Sequence, residues 1–200
     1  PLPHAGPGRG PAHDEPTQRA QIEGRQLVGA FDFADASGAQ LLVKVAISPV
    51  SEDNAIANLD AEVPGWDFDR VRADARRAWS DALGAVDVEA PSPQRRAFYT
   101  ALYHTLQAPS LFMDVDGRYR GPDNAVHRAD GFRNVSTFSL WDTYRALHPL
   151  LTLVQPASRT NDVVRSLVAA RTNSPYGILP VWAFAGQETT RDNTEMRKIY

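Results

Sequence analysis

Residues 138–151, FSLWDTYRALHPLL, set aromatic side chains, an acid, an arginine and a histidine into one short apolar stretch. The pattern predicts a single helix whose first turn opens onto a site. Ser139 stands where an N-cap stands, and Asp142 follows at the S-x-x-D spacing in which the later side chain reaches back to unpaired backbone donors. The same residues admit a functional reading, with Trp141 a flat platform and Asp142 a hydrogen-bond acceptor for a sugar. Spacing alone favours the cap.

Around that stretch the chain is ordinary in bulk. Its 200 residues, 42% hydrophobic, are enough to bury a core in one or two domains. The formal net charge of -3 is spread over interspersed acids and bases, which argues against nucleic acid as a ligand. No membrane span is expected, because apolar runs such as 147–154 are broken by His148 and Pro149 and fall well short of about 20 residues. Without cysteine there is neither a disulfide nor a thiolate metal site, which leaves the redox compartment open. No signal-peptide pattern is visible, and the localisation stays undetermined at this level.

Taken in order, residues 1–16, PLPHAGPGRGPAHDEP, are rich in Pro and Gly, and residues 1–20 are expected to be a disordered tail. Residues 26–33 and 40–47, QLVGAFDF and QLLVKVAI, read as two strands, with Leu41, Val43, Val45 and Ile47 alternating onto one face. Asp35-Ala36-Ser37-Gly38 has the chemistry of a hairpin turn between them. A two-stranded hairpin is marginal alone, so a larger sheet is implied. Residues 48–62 are polar, then weakly helical, and stop at Pro64-Gly65. Phe68, Val71, Ala75, Trp79 and Leu83 recur at helical spacing, with Asp67 as cap and Gly84 as terminator; the arginines on the opposite face read as solvated.

A further helix opens at Ser92 with Pro93 in its first turn and is expected to run to Pro109. His104 within it reads as a core histidine rather than a catalyst. Residues 114–130 carry repeated turn signals and are expected to form a loop or short hairpin that gathers Tyr119, Arg120 and Asp123. The acids of that loop lack the final bidentate Glu of an EF-hand, so a calcium loop is rejected there. Residues 161–170 read as another amphipathic helix. Beyond it, an apolar run from Ile178 through Trp182 and Phe184 leads to Gly186-Gln187-Glu188-Thr189. A carboxylate beside such aromatics has its charged form disfavoured and suits proton donation near neutral pH. Glu188 is equally readable as the first exposed residue after a buried segment.

Four segments in order, VSEDNAIANLDAEVPGWDFD, FYTALYHTLQAPSLFMDVDGRYRGPD, FSLWDTYRALHPLLTLVQP and GILPVWAFAGQET, resemble successive motifs of glycoside hydrolase family 92, the calcium-dependent exo-acting α-mannosidases. The resemblance implies a mixed α and β architecture. Residues 21–63 would be the final strands of an N-terminal β-sandwich, 64–91 a helical linker, and 92–200 the first helices of an incomplete (α/α)6 toroid. It implies Glu188 as general acid, Trp141 and Asp142 as substrate contacts, and Tyr119, Arg120 and Asp123 as residues shaping the pocket. The ligand would be a mannose-containing glycan, of the α-1,2-linked type, hydrolysed with inversion.

Ca2+ is implied as cofactor, with its ligands and the catalytic base beyond Tyr200. Family members of full length are expected to be secreted or periplasmic. After Thr189 the resemblance stops, so the chain is expected to be truncated and inactive alone. Apolar surface left exposed would promote association. The alternative is a catalytically dead carbohydrate-binding fragment.

Overall fold

The computed structural model describes residues 41–180. The expected strand 26–33, its turn, the tail 1–20 and Glu188 lie outside the described residues. Every element below belongs to the unit Leu42–Tyr200.

Residues 41–47 do not form the expected strand. Alternation makes a strand only where a neighbouring strand takes up the backbone groups. Here the segment runs beside a helix instead, with Lys44 Nζ donating to Val63 O at 2.9 Å and Asn58 Nδ2 to Ile47 O at 3.3 Å. Its alternating side chains consequently stay in solvent, Val45 80% and Ile47 84% exposed.

That helix, α1 (Glu52–Glu62), starts because the Ser51 hydroxyl accepts from Asn54 N at 3.2 Å, and Glu52 and Asp53 complement the helix dipole. It buries Asn54 and Asn58 rather than an apolar stripe. The next helix, α2 (Phe68–Leu83), has the predicted bounds, with Asp67 accepting from Arg70 N at 2.9 Å and Gly84 at its C-cap. None of its residues is buried; Trp79 makes its ring contact with Tyr103 of α3 (Ser92–Thr105) at 4.5 Å between centroids. α3 ends short of the expected Pro109, with Leu106 N shared between the carbonyls of Leu102 and Tyr103. Proline disfavours helical backbone in the residue before it, so the chain must leave the helix ahead of Pro109.

The turn-rich segment is a hairpin, as expected. β1 (Arg118–Arg120) pairs antiparallel with β2 (Val126–Arg128), placing Tyr119 opposite His127. Gly117 and Asn124 take the positive φ that the turns require.

The expected single helix over 138–151 is instead two, α4 (Leu140–Thr143) and α5 (Leu147–Val154). Pro149 explains the break: lacking an N–H, it cannot bond the carbonyl four residues back, and its ring clashes there. The break falls at 144–146, and Pro149 sits in the first turn of α5, where an N–H is unpaired anyway. Ser139 occupies the N-cap position of α4, but its hydroxyl makes no capping bond and is buried without a partner. The capping-box expectation for Ser139 is therefore corrected. α6 (Ala157–Asn173) extends the expected 161–170 helix in both directions.

Among the described residues, Val135, Phe138 and Val163 form a buried apolar cluster, with Leu140, Leu147 and Leu167 packed around them, so α6 and the extended segment before α4 hold each other. No helix among the described residues is long and apolar enough to cross a membrane.

Candidate functional site

Two buried polar residues on α6 fasten the segment that leads into α4. Asp162 accepts from Arg133 N at 2.9 Å and Arg133 Nε at 3.1 Å, and Ser166 Oγ accepts from Val135 N at 3.0 Å while donating to Asp162 O at 2.7 Å. Backbone donors of a segment without a full ladder must be met by side chains, and the i, i+4 spacing puts Asp162 and Ser166 on one face to do so.

Above this seam lies a cleft of about 450 Å³. Val135, Ser136, Ser166 and Ala170 line it from the core side, while Tyr119, Arg120, Gly121 and Asn124 of the hairpin, with Pro49 and Phe112, line the rest. Tyr119 is buried, its hydroxyl accepting from Asn173 Nδ2 at 3.1 Å. Burial pushes its phenol above its ordinary pKa, the Asn173 bond opposes this, and the Asp123 charge adds to it, so the group stays a neutral hydrogen-bonding wall. Arg120 donates through Nε to Pro49 O at 2.6 Å and through Nη1 to Asn124 O at 2.8 Å, which fixes the guanidinium at the rim.

Asp123 does not line this cleft. It sits at the hairpin tip with both carboxylate oxygens about the His127 Nε2, at 3.0 and 2.9 Å, and Ala125 N donating to it at 3.0 Å. Burial acts to raise its pKa, but the His127 and Ala125 bonds and the His127 charge outweigh that and hold it below the usual carboxylate value. Gly121 makes the packing possible, since a Cβ there would meet Asp123 Oδ1 and His127 Cδ2 at 2.7 Å. The structure thus brings Tyr119 and Arg120 to one wall and leaves Asp123 paired with His127, whose ring lies 5.8 Å from that of Tyr119.

Trp141 and Asp142 belong to α4; Asp142 is exposed and is not among the residues that line this cleft. Glu188 lies outside the described residues. His104 is exposed, its ring against Tyr103, rather than in the core as expected. Among the described residues no group of three or more His, Asp or Glu could hold a metal ion.

Sequence reasoning missed Asp114. Its carboxylate is 2% exposed and is met by Ser48 Oγ, Asn54 Nδ2 and Asn58 Nδ2. The Asn54/Asn58 repeat at i, i+4 in a helix poor in apolar residues was the available sign.

Solved glycoside hydrolases share this fold: a family GH92 α-mannosidase of Bacteroides thetaiotaomicron is 41% identical over 71% of this chain, with a TM-score of 0.67. Its complex with mannoimidazole matches at 40% identity over 72% of the chain, also with a TM-score of 0.67. An uncharacterized secreted glycosidase of Arthroderma benhamiae is 31% identical over 120 residues, 58% of this chain. Residues 54–196 match the glycosyl hydrolase family 92 catalytic domain, and the chain belongs to that family. It spans 19% of the length of the Bacteroides enzyme and 14% of the Arthroderma protein.

Proposed function

We propose that this chain is part of the catalytic domain of an inverting, calcium-dependent α-mannosidase that releases mannose from α-1,2-linked glycans. The observation that carries the reading is the match of residues 54–196 to the family's catalytic domain, together with 41% identity to a solved α-mannosidase. In this reading α3, α5 and α6 are among the first helices of an (α/α)6 toroid, within 92–200, and residues 64–91 are its linker.

Glu188 protonates the leaving glycosidic oxygen. A second carboxylate, outside the described residues, takes a proton from water on the opposite face, at a carboxyl separation of roughly 6.5–9.5 Å that leaves room for that water. Trp141 and Asp142 hold the mannose, and Tyr119 and Arg120 shape the neighbouring wall. Calcium, when bound, would take the sugar hydroxyl oxygens as ligands; in this reading its protein ligands lie outside the described residues.

In this reading the catalytic base and the calcium ligands lie outside the described residues. The expected outcome is therefore no mannose released from α-1,2-linked mannobiose by the purified 200-residue chain with calcium present. Calcium-dependent release would overturn the inactivity. A second reading, a glycan-binding fragment without catalysis, is favoured by the cleft that the described residues form by themselves. Titration with mannoimidazole followed by tryptophan fluorescence separates the two: saturable binding supports the fragment as a binder, and no response removes that reading.

A further inference from the structure

Asp114 sits at the centre of a buried polar network. Its carboxylate accepts from Ser48 Oγ at 2.6 Å and from Asn54 Nδ2 and Asn58 Nδ2, each at 2.8 Å. Both asparagine amides pass the contact onward. Asn58 Oδ1 accepts from Val115 N at 2.9 Å, and Asn54 Oδ1 accepts from Arg118 Nη2 at 2.6 Å, so the Asn54 amide dipole lies between a guanidinium and a carboxylate. The Asp114 backbone joins the same hairpin, its N–H donating to Arg118 O at 2.8 Å and its carbonyl accepting from Gly117 N at 2.9 Å. Pro49, next to Ser48, accepts from Arg120 and lines the cleft.

We propose that Asp114 is a positioning residue for the cleft, locking the hairpin that carries Tyr119 and Arg120 against residues 48–58. An apolar plug would fill the space but tolerate sliding. Donors from Ser48 and from two positions of α1 converging on one buried carboxylate are all satisfied in a single placement of the hairpin, and a partly satisfied network is costly. What the wall serves rests on the glycan-binding reading above; that Asp114 sets its position does not.

The test uses the full chain and two variants, Asp114→Asn and the exchange Asp114→Asn with Asn58→Asp. Asparagine at position 114 turns one acceptor oxygen into an NH2 group facing another NH2 group. In the exchange, the amide introduced at position 114 would donate to the new carboxylate at position 58, which still accepts from Val115 N and gives up only the longer bond to Ile47 O, and its oxygen would still take Ser48 and Asn54.

Amide hydrogen exchange is read at Gly121 and Ala129 in the hairpin and along α6. The single variant is expected to speed hairpin exchange by about tenfold or more while leaving α6 unchanged, and the double variant to return it to within about threefold. Unchanged hairpin exchange in the single variant, equal loosening of hairpin and α6, no recovery in the double variant, or loss of folding in both would each overturn the proposal. An unfolded single variant with a folded double variant supports it. Mannoimidazole titration runs alongside: failure of the unsubstituted chain to bind counts against the glycan-binding reading, while the exchange data still judge Asp114.

Discussion

At the scale of single residues, His148 shows how burial sets a pH response. Its Nε2 lies 2.9 Å from Thr143 Oγ1 and its ring stands edge-on to Phe138, 5.0 Å between centroids. Desolvation there lowers its pKa below the ordinary 6.5. The unfolded chain therefore takes up a proton at a higher pH than the folded chain does. The resulting stability is fully present above about 6.5 and is lost as pH falls through the folded value. Melting temperature should drop between about pH 7.5 and about pH 5.5, and His148→Gln should shrink that drop; an equal drop in the variant would remove His148 as its source. Tyr119, Arg120 and Asp123 were legible as a group because turn signals bracket them. Their division of labour was not, since only the folded hairpin turns Asp123 away towards His127.

Among the elements, legibility followed local chemistry. The bounds of α2 could be read directly because its stripe, cap and terminal glycine agree. α1 was harder, because its buried face is two asparagines whose partners are distant in sequence, Asn58 and Asp114 being 56 residues apart. Its start depends on Ser51, so Ser51→Ala should destabilise the chain by about 1 kcal/mol, the usual worth of such a cap. Urea unfolding followed by far-UV circular dichroism measures this, and a change indistinguishable from zero would show the cap to be idle. The division of 138–151 into α4 and α5 was foreshadowed by Pro149. Apolar periodicity, which ignores missing donors, overrode that sign.

Across the described part of the molecule, many large apolar side chains are exposed. Leu153 is 82% exposed, Val164 and Val168 are also exposed, and an apolar groove runs between α5 and α6 beside Tyr144. Exposed clusters of this kind drive association. The chain should self-associate with rising concentration in sedimentation velocity, and Leu153→Lys with Val164→Lys should shift it towards monomer while helicity is kept. Unchanged association would place the contact elsewhere.

By itself the sequence determined the helices whose caps and stripes are local, the hairpin, and through its ordered motifs the glycoside hydrolase family. Only the tertiary structure decided that residues 41–47 run beside α1 rather than in a ladder, and that Tyr119 and Arg120 share a wall. It alone brought Asp114 together with Ser48, Asn54 and Asn58. The physical reason is one of range: caps, turns and periodicity act within a few residues, whereas buried polar groups take their partners from whichever distant segments folding brings into reach.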